Sequence, residues 1–101
     1  MLYAKEFPDY DGELYLPKGF EDVSYHNDLM PHCRLLIDVD DTKVEFNIWQ
    51  DYVDAEKREY YDDRYHFQIN VGGEDVFDYG TENIEEIKRL VRCIQVEGIE
   101  S

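Results

Sequence analysis

The sequence predicts an α+β fold: an antiparallel β-meander of four or more strands with a C-terminal α-helix packed on one face. Three observations carry this. Apolar and polar residues alternate in three runs between positions 32 and 71, the period of half-buried strands. The turn-forming pairs Asp40-Asp41 and Gly72-Gly73 interrupt the alternation, so the flanking strands join as hairpins. After Gly80 the apolar spacing becomes helical. A sheet with one apolar face and a helix with one apolar stripe are most economically buried against each other.

One domain, residues 1–101, suits this length. Residues 1–31 hold all three prolines and the turn pairs Asp11-Gly12 and Lys18-Gly19. They read as an irregular segment with short strands near Leu2–Phe7 and Glu13–Leu16. The sheet is expected over 32–79. Cys33, Leu35, Ile37 and Val39 form the apolar side of its first long strand, followed by Val44, Phe46 and Ile48 on the second. Phe67, Ile69 and Val71 follow on the third, and Val76–Tyr79 makes a short fourth. Leu36 and Trp49 fall on the opposite, polar face.

The helix is expected over 81–97. Thr81 serves as N-cap, and Glu82, Glu85 and Glu86 stand where the helix dipole favours negative charge. Ile84, Ile87, Leu90, Val91 and Ile94 supply its apolar stripe, and Gly98 stops it.

Charge narrows the choice of partner. Twenty-five acidic residues face ten basic ones, a formal net charge of −15. Direct nucleic-acid binding is not expected, because phosphate backbones need a basic surface. Anionic membrane surfaces are disfavoured for the same reason. No run approaches the ~20 apolar residues of a membrane span, and the N-terminus shows no signal-peptide pattern. Two cysteines, Cys33 and Cys93, make no disulfide framework. A cytoplasmic protein with reduced thiols, monomer or homodimer, is the expectation.

One motif points elsewhere. Asp38-Val39-Asp40-Asp41-Thr42 resembles the D-x-D-x-T opening of haloacid-dehalogenase-like phosphatases. That resemblance implies a nucleophilic Asp38, a proton-handling Asp40 and magnesium. Such a site sits at the end of a parallel strand beneath crossover helices. Here Lys43–Trp49 follows at once as another strand, which permits only a hairpin. The motif is therefore read as an acidic turn. His32 and Cys33 are neighbours on a strand and point to opposite faces, which argues against a shared zinc. The three acids lack the loop that holds calcium. Neither serine lies in a nucleophile context. No catalytic residue, metal site or cofactor is assigned, and the chain is not expected to be an enzyme.

What remains is distributed. Tyrosines are interleaved with the acids, most densely over residues 51–63. Tyrosine adds rigid contact area with a polar tip. The expected function is a small acidic binding protein that inhibits a basic nucleic-acid-binding protein, such as a nuclease, by electrostatic mimicry of DNA or RNA. Anti-CRISPR and anti-restriction proteins of phages or mobile elements supply the class analogy. The expected partner-binding residues are Asp38, Asp40, Asp41, Asp51, Tyr52, Asp54, Glu56, Glu59, Tyr60, Tyr61, Asp62 and Asp63. The alternatives are an immunity-type antidote to a basic toxin, and an acidic domain whose charge serves only solubility.

Overall fold

A computed structural model describes residues 2–58 and 63–94. One turn of helix, α1 (Leu2–Glu6), precedes a two-residue strand, β1 (Glu21–Asp22). Two long strands follow, β2 (His32–Val39) and β3 (Thr42–Gln50), then a 3₁₀ turn (Ala55–Lys57). Strands β4 (Tyr65–Val71) and β5 (Glu74–Thr81) complete the sheet, and α2 (Ile84–Ile94) packs against it. The five strands lie in chain order and every pair is antiparallel. The α+β meander with a C-terminal helix on one face is therefore the architecture. No helix among the described residues is long and apolar enough to cross a membrane.

The register accounts for the two faces. Cys33, Ile48 and Phe67 form one row across β2, β3 and β4, and Leu35, Phe46 and Ile69 form the next. These rows face α2, whose Ile87 and Val91 are buried on them. Leu14, Phe20 and Tyr65 complete the cluster. Each such buried side chain contributes about 1.5–3 kcal/mol of burial free energy. The opposite face carries His32, Trp49 and His66 in one row, then Arg34, Asn47 and Gln68.

Several expectations are corrected. Leu2–Glu6 is helical, and residues 13–16 form no strand. Gln50 explains the second difference. Its side-chain amide accepts from Tyr15 N at 2.8 Å and donates to Tyr15 O at 2.7 Å, so one side chain takes the place of a strand partner. Val39 is 48% exposed although its alternation placed it in the core. It lies at the tip of the β2–β3 hairpin, outside the cluster that Leu14, Phe20 and α2 cover. The sheet extends to Thr81, and α2 begins at Ile84. Asn83 is the cap: its Oδ1 accepts from Glu85 N at 3.0 Å, while Thr81 Oγ1, two residues earlier, accepts from Asn83 N. Gly98, the expected stop, lies outside the described residues.

Candidate functional site

The expected acidic contacts fall at the two ends of the long strands. At one end Asp40 and Asp41 form the β2–β3 turn, both in the left-handed region with φ of 49° and 67°. Two positive φ values give the turn whose twist matches antiparallel strands. Asp38 pairs across this hairpin with Lys43 at 3.6 Å, both well exposed. All three acids of the turn face solvent, and they sit in an antiparallel hairpin rather than at the end of a parallel strand.

Residues 51–58 lie at the other end, about 27 Å away for strands of this length. Here several carboxylates are occupied in holding the chain. Asp51 is 1% exposed, so it does not belong to the open surface expected of it. Its Oδ1 accepts from Tyr52 N at 2.8 Å, and its carbonyl accepts from the Tyr10 hydroxyl at 3.2 Å. Asp54 accepts from Glu56 N at 3.0 Å and caps the 3₁₀ turn. Tyr52 is half-buried against Tyr10, with ring centroids 5.4 Å apart. The Arg58 guanidinium donates to the Tyr52 and Val53 carbonyls at 2.8 and 3.1 Å and pairs with Glu82 at 2.6 Å. Glu56 is exposed and Asp63 half-buried. Glu59, Tyr60, Tyr61 and Asp62 lie outside the described residues. Among the described residues, the expected contacts are therefore not gathered into one patch; they stand at opposite ends of the sheet.

A further acidic surface lies along β5. This strand is one edge of the sheet. Its residues from Glu74 to Tyr79 are all exposed. Glu74, Asp75 and Asp78 share this strand with Val76, Phe77 and Tyr79. Val76 is skipped in the pairing with β4, since Phe77 opposes Ile69 and Asp75 opposes Asn70. The bulge twists this end of the edge. Asp75 accepts from Asn70 and Gln68 at 2.7 and 3.1 Å, and His66 Nε2 is hydrogen-bonded to Asp78.

A pocket on the polar face was not visible as a motif. Residues 27–30 cross over this face and, with Trp49, His66 and Gln68, enclose about 320 Å³. The crossing is fixed at its base, where Val23 N donates to His32 O at 3.1 Å and Ser24 Oγ bonds both His32 backbone groups. Met30 is buried, and Asp28 is half-buried in the wall. Trp49 is stacked on one side by His32, with ring centroids 3.8 Å apart and planes 13° from parallel. His32 is itself buried and bonded to Asn47 Oδ1 at 3.1 Å. Burial pushes its pKa below the ordinary imidazole value, because charging it would strand a cation away from water. Sequence offered one signal, a lone tryptophan on an otherwise polar strand face.

Cys33 is a structural thiol. It is fully buried, donates to Tyr15 O at 3.4 Å and has its thiol pushed up to about 12 by burial. Among the described residues no group of three or more His, Cys, Asp or Glu side chains converges as metal ligands do. Comparison with known proteins gives no match: no family model, no curated protein and no solved structure aligns with the chain.

Proposed function

We propose that the chain is a small acidic binding protein that inhibits a basic nucleic-acid-binding protein by occupying its nucleic-acid groove. The observation that carries this reading is the shape that bears the charge. The body measures 41 × 24 × 24 Å, close to a short cylinder, and the net charge is −15. Duplex DNA of that length carries about 24 phosphate charges. The chain therefore presents more than half that density on a body of comparable width. Exposed carboxylates stand at both ends, on the Asp38–Asp41 turn and at Asp54 and Glu56, and along β5 between them. A groove lined with lysine and arginine gains electrostatic steering from such a surface.

Competition tests it. The protein is used as bait at low and high salt, and the captured protein is then offered duplex DNA or RNA. The expected outcome is a basic nucleic-acid-binding protein whose capture weakens as salt rises and is reversed by the nucleic acid. Capture of a basic toxin that nucleic acid does not displace favours the antidote reading instead. Capture of neutral or acidic proteins alone overturns both.

A further inference from the structure

We infer that the pocket under residues 27–30 receives an arginine side chain from the basic partner, and so anchors a contact that charge alone would leave loose. The inference rests on the binding reading above and names what one part of that surface recognises.

The pocket is built of hydrogen-bond acceptors. Asp28 is half-buried in its wall, and its carboxylate makes no hydrogen bond or ion pair among the described residues. A carboxylate in the wall with no side-chain donor of its own is placed to pair with a cation entering the pocket. The two amides turn the same way. Asn27 Nδ2 donates to the Tyr25 hydroxyl at 3.1 Å, and Gln68 Nε2 donates to Asp75 at 3.1 Å. Their carbonyl oxygens remain as acceptors. His66 Nε2 is occupied by Asp78. A ligand made only of donors suits such a wall, and guanidinium offers five N–H donors and no acceptor.

The apolar part of the wall separates arginine from lysine. His32 holds the Trp49 ring on one side, and the indole also lines the pocket. A flat, weakly hydrated guanidinium stacks on an aromatic ring better than a compact, strongly hydrated ammonium. Met30 and Leu29 line the same space and suit the methylene stem of a long side chain. At about 320 Å³ the volume is at the lower limit for ligand pockets. It fits one side chain and a few waters rather than a large cofactor. An anionic ligand would meet Asp28 and the field of a −15 protein.

The full chain tests this directly, because Trp49 is its only tryptophan. n-Butylguanidinium, n-butylammonium and the neutral n-butylurea are titrated at constant ionic strength. Trp49 fluorescence and its indole N–H resonance are followed. The expected result is a saturable change with n-butylguanidinium, with a midpoint on the order of millimolar, and none with n-butylurea. Asp28→Asn should weaken that binding by about tenfold with an unchanged circular dichroism spectrum, since this carboxylate holds nothing in place. A linear, unsaturable response, equal binding of n-butylammonium, or an unaffected Asp28→Asn variant overturns the arginine assignment. Partner capture undiminished in Asp28→Asn would do so too, while leaving the electrostatic reading intact. Saturable n-butylguanidinium binding without any salt-sensitive capture keeps the pocket and removes that broader reading.

Discussion

Replacing Gln50 by leucine tests how the N-terminal segment is attached to the sheet. The Gln50 side chain is fully buried and satisfies both backbone groups of Tyr15. Leucine keeps a similar volume and removes both bonds. Each intramolecular hydrogen bond contributes roughly 1 kcal/mol net, and a buried group left unsatisfied costs about 1–3 kcal/mol. Tyr15 O keeps the Cys33 thiol at 3.4 Å as a weak donor, whereas Tyr15 N–H loses the acceptor that Gln50 supplies. After the gain from an added apolar side chain, the expected loss is about 2–3 kcal/mol. That is a large share of the ~5–15 kcal/mol total for a domain of this size. Urea unfolding followed by far-ultraviolet circular dichroism should show the midpoint fall by about 2 M with an unchanged slope. Amide exchange at Tyr15 should accelerate. A midpoint within about 0.3 M of wild type would mean that Tyr15 is held by other contacts, and the account of the missing second strand would be wrong.

Three further outcomes follow from other sites. Asp41→Gly should raise stability by about 1 kcal/mol, because its φ of 67° suits glycine better than aspartate; calorimetry should show Tm rise by roughly 5 °C. A thiol reagent at neutral pH should label Cys93 in the native protein and Cys33 only after denaturation, as counted by mass, since Cys33 is buried with its thiol pushed up to about 12 and Cys93 is exposed. The His32 imidazole should titrate below its ordinary value of 6.5 by NMR, because burial disfavours its charged form. The folded state then binds fewer protons than the unfolded one, so the His32 contribution is complete above pH 6.5 and declines as pH falls below it. The stability gap between wild type and His32→Gln, measured in urea, should shrink over that range. Glu6 and Glu86 add a separate loss at lower pH. Hydrogen bonds from His26 and Thr81 hold their carboxyls below the ordinary value of 4.5.

The long strands were legible because one face of each is apolar, and an alternation of two survives any change in the rest of the chain. Leu35, Ile48 and Phe67 could be placed in the core on that ground alone, as could Ile87 and Val91 by helical spacing. What could not be read depends on contacts between distant residues. Gln50 and Asp51 look like surface residues by type, yet both are buried: the Tyr15 backbone meets the Gln50 side chain, and the Tyr10 hydroxyl donates to the Asp51 carbonyl. The cap of α2 fell at Asn83 rather than Thr81 because β5 continues through Thr81 in pairing with Tyr65. The pocket was hidden for the same reason. Asn27 and Asp28 carry no periodic signal, and only the path of residues 23–31 brings them over Trp49. Acidity could be counted from composition, but not which carboxylates remain exposed and which serve as caps.

The edge strand β5 also governs how copies of this protein treat one another in a concentrated solution. An unpaired strand edge is a template for fibril growth. Here Glu74, Asp75 and Asp78 line it, with Val76 bulged out of register. Two such edges repel while the carboxylates are ionised and the salt is low. Acid or high salt removes that protection and leaves Val76, Phe77 and Tyr79 exposed on a ready-made template. Purification and storage therefore belong at neutral pH and modest ionic strength, where charge keeps the edge closed to its own kind.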